Sequence, residues 1–183
     1  MGGRPQATSK TYLATTISAD ALAVGESTRV SGTITATTKD VGPVTLSSAK
    51  AVLTATAQST DGSTVYAAAD TSACADGADL VISRTHNSTG TDDSGGLTTM
   101  TATSTTSLFA LNLEHVDLPF GTISVGSVSW HDEPCVTGIL DGNVASLDAS
   151  AQASGETTLA QVDFSVLTTD DISCISAAAI TIA

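Results

Sequence analysis

Past Arg84 the chain has no lysine or arginine at all. The 99 residues from Thr85 to Ala183 carry twelve carboxylates, for a formal charge of −12. The first 84 residues hold all six Lys and Arg against seven acids, for −1. His86, His115 and His131 all fall in the acidic stretch. A half without cations cannot grip a phosphate by ion pairing or form a Lys or Arg salt bridge within itself. The net charge of −13 favours solubility. It also argues against nucleic acid and anionic membranes as partners, since both need cationic surface. Neither is expected as a partner.

Other shortages narrow the class. Three Phe, two Tyr, one Trp and two Met leave few large side chains for a core. Glu occurs four times, and Lys and Arg three times each. The straight-chain residues that normally cover helix surfaces are therefore scarce. No run of 18 apolar residues exists, so no helix spans a bilayer and no membrane insertion is expected. The opening MGGRPQATSKTY lacks the apolar core of a signal peptide. Gln6 stands where a myristoylation motif needs Ser or Thr. The expectation is a protein made without export, or a mature form with an added start. Cys74, Cys135 and Cys174 match neither a zinc pattern nor CxxC. They allow three buried thiols, one disulfide with three choices of pair, or a Cys–His nucleophile pair. There is no GxSxG elbow, no phosphate loop and no dinucleotide fingerprint. Neither enzymatic activity nor a cofactor is expected.

What the chain does have is Thr, Ser, Ala and Val. Branching at Cβ makes Thr and Val suit extended backbone. Arg29–Thr37 alternates Val30, Gly32, Ile34 and Ala36 against Arg29, Ser31, Thr33 and Thr35, which is the period of a half-buried strand. Further strands are expected at Tyr12–Ser18, Val44–Leu46, Ala51–Gln58, Thr64–Ala68 and Asp79–Arg84. Leu97–Leu113 is long for one strand and is expected to bend near Ser107. Thr122–Trp130, with a bulge near Gly126, then Val144–Asp148, Thr157–Leu167 and Ile172–Ile180 complete the set. Ala21–Glu26 reads as a turn. Thr71–Gly77 and the polar His86–Gly96 read as loops. Asp61-Gly62 and Asp141-Gly142 are hairpin signals. Many short strands without helices predict an all-β fold of about ten to twelve strands, an antiparallel β-sandwich, immunoglobulin-like or jelly-roll-like. It is expected to form a single domain over 1–183, with a weak division near 86–96.

The stretch GESTRVSGTITATT, Gly25 to Thr38, resembles the opening of bacterial immunoglobulin-like domains over roughly residues 20–58. The resemblance implies a β-sandwich of the kind found in bacterial surface proteins and phage structural proteins. The later chain lacks the ending that the family usually shows.

Reactive side chains are few. His131-Asp132-Glu133-Pro134-Cys135, preceded by Trp130, is the densest cluster. Neighbours on an extended strand point to opposite faces, so a site there needs distant partners such as Glu114, His115 or His86. Asp92, Asp93, Asp132, Glu133 and Asp141 are candidate calcium ligands, as are Asp76, Asp79, Asp170 and Asp171, but none has EF-hand spacing. Lys10, Lys39 or Lys50 is a candidate for an isopeptide bond with Asn112 or Asn143. Asn87-Ser88-Thr89 is a glycosylation acceptor in a secretory host.

These features leave a non-enzymatic structural subunit, partnered by copies of itself or by other assembly subunits. A virion head decoration, a tail component or a surface fibre would fit, in the virion or at the extracellular surface. The alternative is a secreted adhesion or glycan-binding module. A glycan platform would have to come from Trp130, Tyr12 and Tyr66.

Overall fold

The computed structural model describes residues 12–113, 123–132 and 140–183. The described residues form ten strands and no helix: β1 (Ala14–Val24), β2 (Ser27–Asp40), β3 (Val44–Ser59), β4 (Tyr66–Asp76), β5 (Leu80–Ser94), β6 (Leu97–Leu113), β7 (Ile123–Asp132), β8 (Asn143–Ser154), β9 (Leu159–Thr168) and β10 (Ile172–Ile182). They make two sheets, one in the order β4-β1-β10-β9 and one in the order β7-β5-β6-β3-β2-β8. The all-β sandwich expected from composition is the observed class. Most neighbours run antiparallel, but β8 joins β2, and β7 joins β5, in parallel.

Alternation sets which residues face the interior. On β2, Val30, Ile34 and Ala36 are buried while Arg29, Thr33 and Thr35 are exposed. β4 lies over β6 and β3, β1 over β3 and β2, β10 over β2 and β8, and β9 over β8. β5 and β7 extend beyond the smaller sheet, with only β4 approaching β5.

The space between the sheets is filled mainly by small side chains. Leu13, Ile17, Ile34, Leu53 and Ile175 supply bulk, and alanines such as Ala19, Ala51, Ala55 and Ala179 line the rest. Buried hydroxyls span the gap. Thr28 on β2 meets Ser173 on β10 at 2.7 Å, and Thr38 meets Thr181 on the same two strands at 2.7 Å. Thr71 on β4 meets Ser104 and Thr106 on β6 at 2.7 and 2.8 Å. A threonine hydroxyl lies one atom beyond Cβ. Such contacts therefore draw the backbones closer than the about 10 Å usual between sheets packed through large residues. The scarcity of aromatics and the abundance of Thr, Ser and Ala have one structural cause: a thin interior, partly hydrogen-bonded.

Several local expectations are corrected. Thr71–Gly77 is not a loop, because β4 runs to Asp76. Ala21–Val24 belongs to β1, so the turn there is confined to Gly25-Glu26. His86–Ser94 is strand, and only Gly95-Gly96 turns. That polar segment stays extended because β6 and β7 pair with it on either side. β3 is one strand across both expected segments. β6 runs all its 17 residues without a break near Ser107, flanked by β3 and β5 along its length. The β7 register passes Gly126 without a bulge. Asp61-Gly62 and Asp141-Gly142 do turn, with Gly62 and Gly142 at φ 78° and 77°, but neither closes a hairpin. Residues 60–65 carry the chain from β3 in one sheet to β4 in the other, and β7 and β8 occupy opposite edges of the larger sheet.

Candidate assembly surfaces

Among the described residues, the sandwich leaves strand edges open. β4 and β9 end the smaller sheet, and β7 and β8 end the larger one. An edge strand presents a row of unpaired backbone donors and acceptors, a template for another chain unless charge, proline or a bulge blocks it. β9 has one charged residue, Asp163, and no proline. Its register with β10 pairs Val162, Phe164 and Val166 with Ala179, Ala177 and Ile175. Those partners are buried core residues, so the three β9 side chains point toward the interior side. Phe164 is nonetheless 64% exposed and Val166 is 40% exposed. Beneath them β8 offers only Ala145, Leu147, Ala149 and Ala151, all half-buried. This flank of the sandwich is an open apolar seam.

The two outer faces differ in charge. Arg29 and Lys39 on β2, Lys50 on β3 and Arg84 on β5 are exposed. Each alternates with inward-facing neighbours, so all four point outward from the larger sheet. They are the only Lys and Arg among the described residues. The same face carries Asp148 on β8 and Asp92 near the β5–β6 turn. The outer face of the smaller sheet carries Asp20, Asp70, Asp76 and Asp163, and no cation among the described residues. Asp20 and Asp70 stand directly opposite each other on β1 and β4.

Turn carboxylates are tied up locally. Asp61 accepts from the Ser59 and Ser63 hydroxyls and from the Ser63 backbone amide. These bonds, that from Ser59 first, hold its carboxyl down to about 2. Glu26 lies below the usual carboxylate range because its carboxylate accepts from the Thr60 amide at 2.8 Å and the Thr60 hydroxyl at 2.7 Å. Both groups fasten turns at one end of the sandwich.

The structure scatters the residues singled out by sequence. Asp92 accepts from Ser94 at 3.1 Å beside the β5–β6 turn. Asp93 is exposed there, and Asp141 is exposed ahead of β8. Asp132 ends β7, but its side chain lies outside the described residues, as do Glu133, Glu114, His115 and Cys135. Among the described residues, no three of His, Cys, Asp and Glu come together to hold a metal ion. Cys74 and Cys174 are free thiols. Cys74 sits opposite Thr16 and Cys174 opposite Leu22, six residues apart along β1. Cys74 is exposed, which corrects the reading of three buried thiols: it falls on the outward parity of β4. Lys39 and Lys50 face outward, while Asn112 and Asn143 face inward. Asn143 accepts from Thr28 and donates to the Asp170 carbonyl. No isopeptide pair is assembled among them. Asn87 is buried and accepts from Ser104 at 2.6 Å, which withdraws it from a glycosylating enzyme in the folded state.

The face polarity was missed from sequence, although its signal was present. Arg29 and Lys39 oppose the parity of Val30, Lys50 opposes that of Ala51, and Arg84 shares that of the exposed Ile82. No family model, curated protein or solved structure matches this chain.

Proposed function

We propose that this protein is a non-enzymatic structural subunit that builds a larger assembly with copies of itself. A virion head or tail component, or a surface fibre, is the setting that fits. The observation that carries this reading is β9: an unguarded edge strand whose inward-pointing Phe164 is 64% exposed. A second chain laid along β9 would complete the hydrogen-bond ladder and bury the seam. Exposed hydrophobic edges of this kind are normally blocked in proteins that work as monomers.

The glycan-binding alternative gains nothing from the aromatic side chains described. Tyr66 starts β4, and Tyr12 bonds to Asp76 at its far end. That is about 33 Å apart at strand rise, too far for one sugar platform.

Light scattering coupled to size exclusion tests the proposal. Particles or oligomers are expected at micromolar concentration, and Phe164→Glu is expected to reduce them. A monomer under all conditions, with β9 still exposed, would overturn it. Mass spectrometry of purified virions against cell-surface fractions separates the two settings.

A further inference from the structure

The two outer faces share one pattern with opposite charge. On the larger sheet, successive cross-strand rows run Lys39–Leu46–Leu111–Leu80, then Thr37–Ser48–Phe109–Ile82–Val125, then Thr35–Lys50–Ser107–Arg84. Phe109, Ile82 and Val125 are 41%, 46% and 56% exposed. Over β3, β6 and β5, two mainly apolar rows are thus followed by a cationic one, with Lys39 flanking the first row on β2. On the smaller sheet the rows run Tyr66–Val24–Ile172, then Ala68–Leu22–Cys174, then Asp70–Asp20–Ser176. Two apolar rows are here followed by an anionic one. Rows on one face recur every two residues, about 6.6–6.8 Å, so the spacing from apolar band to charged row is the same on both faces.

From this complementarity we infer that the outer face of the smaller sheet docks on the outer face of the larger sheet of a second copy. The inference rests on the assembly reading above and names a surface for it. The apolar bands lie at opposite ends of the sandwich, one by the Gly25 turn and one by the Asp40 turn. A half-turn about the stacking axis brings band onto band and sets Asp20 and Asp70 against Lys50 and Arg84. Three strands of eleven residues and one of ten project to roughly 680 Å². The far end of the facing sheet, where Thr56, Gln58, Thr99 and Thr101 are already buried, lies outside the contact, which is therefore smaller than the roughly 800 Å² per partner of a standard interface. The contact uses different surfaces on the two partners, so it is heterologous and repeats from copy to copy into a stack. It also places two of the four described cations of a strongly acidic molecule where they meet acids. The β9 edge stays free in such a stack.

The test uses the full chain and two charge-reversed variants. Lys50→Glu/Arg84→Glu makes both facing charged rows acidic; Asp20→Lys/Asp70→Lys makes both rows basic. All four positions are exposed, and circular dichroism checks that each variant keeps its strands. Sedimentation velocity over a concentration series is expected to show the native protein growing in size with concentration. Each variant alone should associate at least about tenfold more weakly, because like charges then face each other. Mixing the two variants should restore association, since each reversed face meets its complement. If the native protein assembles and both variants match it, face stacking is wrong, while assembly through β9 or another surface stands. If each variant weakens association but the mixture does not restore it, the faces do not pair with each other and the inference fails. If the native protein stays monomeric throughout, the assembly reading fails with it.

Discussion

The hydroxyl bridge at Thr28 offers a sharp test of how the thin interior is held. Asn143 Oδ1 can only accept, and the Thr28 hydroxyl lies 2.6 Å from it. Thr28 therefore gives its single proton to Asn143, and Ser173, at 2.7 Å, must donate to Thr28. The chain of donors runs from β10 through β2 to β8. Thr28 and Ser173 are both 0% exposed, so water does not replace a lost partner. Thr28→Val keeps the shape and strand preference but removes the hydroxyl. The cost is the desolvation of an orphaned Ser173 donor, about 1–3 kcal/mol. Asn143 is half-buried and adds less, since it is within reach of solvent. At about 2 kcal/mol the melting temperature falls by about 4–8 °C in a chain of this length. Ser173→Ala leaves Thr28 still bonded to Asn143 and costs about 0.5–1.5 kcal/mol. The double variant contains no orphaned serine. Its cost should fall short of the sum of the singles by about 1 kcal/mol, beyond the 0.3–0.5 kcal/mol expected of independent sites. Urea unfolding followed by circular dichroism measures all four proteins, with equal m-values as the check on a common unfolded state. Simple additivity, or a Thr28→Val cost below about 0.5 kcal/mol, would refute the bridge as a stabilising link between the sheets.

Three further outcomes are expected from the same geometry. Leu53→Ala, at a fully buried site lined by small residues that cannot close the hole, should cost about 2.7–5 kcal/mol in the same urea assay. Gly77 and Gly62 have similar φ, 83° and 78°, but a Cβ at Gly77 would lie 2.0 Å from the Tyr12 carbonyl oxygen while one at Gly62 meets nothing within 4 Å. Gly62→Ala should cost about 1–2 kcal/mol for the left-handed backbone alone and Gly77→Ala clearly more; equal costs would refute the clash. Asp61 has a folded-state pKa below its usual value of 3.8. Its contribution is full above that value and lost as pH falls toward about 2. Asp61→Asn should therefore be less stable than native at pH 7 and converge with it near pH 2, and a gap unchanged by acid would contradict the hydrogen-bond origin.

How much of this was legible depends on whether the cause was local. The alternation in β2 is local, and Val30, Ile34 and Ala36 turned inward as its period requires. The Asp-Gly turns are local too, since a left-handed glycine is a property of one residue. The partner that the chain takes after such a turn is not local: past Gly62 it found β1, in the other sheet, and that choice is written in no dipeptide. Polar His86–Ser94 looked like a loop because nothing in its own composition calls for burial. It is a strand because β6 and β7 flank it. The charge segregation was visible along the sequence, but its meaning was not. In sequence every cation lies at or before Arg84, whereas the fold gathers the described cations on one outer face and leaves the other purely anionic, and that arrangement needs the parity of every strand at once. The cluster at His131–Cys135 drew attention by density alone, and only its first two residues fall within the described structure.

The position of β10 carries a consequence for how the molecule comes into being. It lies between β1 and β9, so the last of the ten strands to be synthesised is a central strand of the smaller sheet. β1 leaves the ribosome well ahead of it, yet waits for Ile172–Ile182 before one of its two ladders can form. The four-stranded sheet therefore closes late and over a long loop, which is the topology that slows folding. Until then β1 and β9 have no common neighbour, and the alanine- and threonine-lined side of the larger sheet stands partly uncovered. A chain that stalls before residue 172 would hold the six strands of the larger sheet with only part of a lid to close over them.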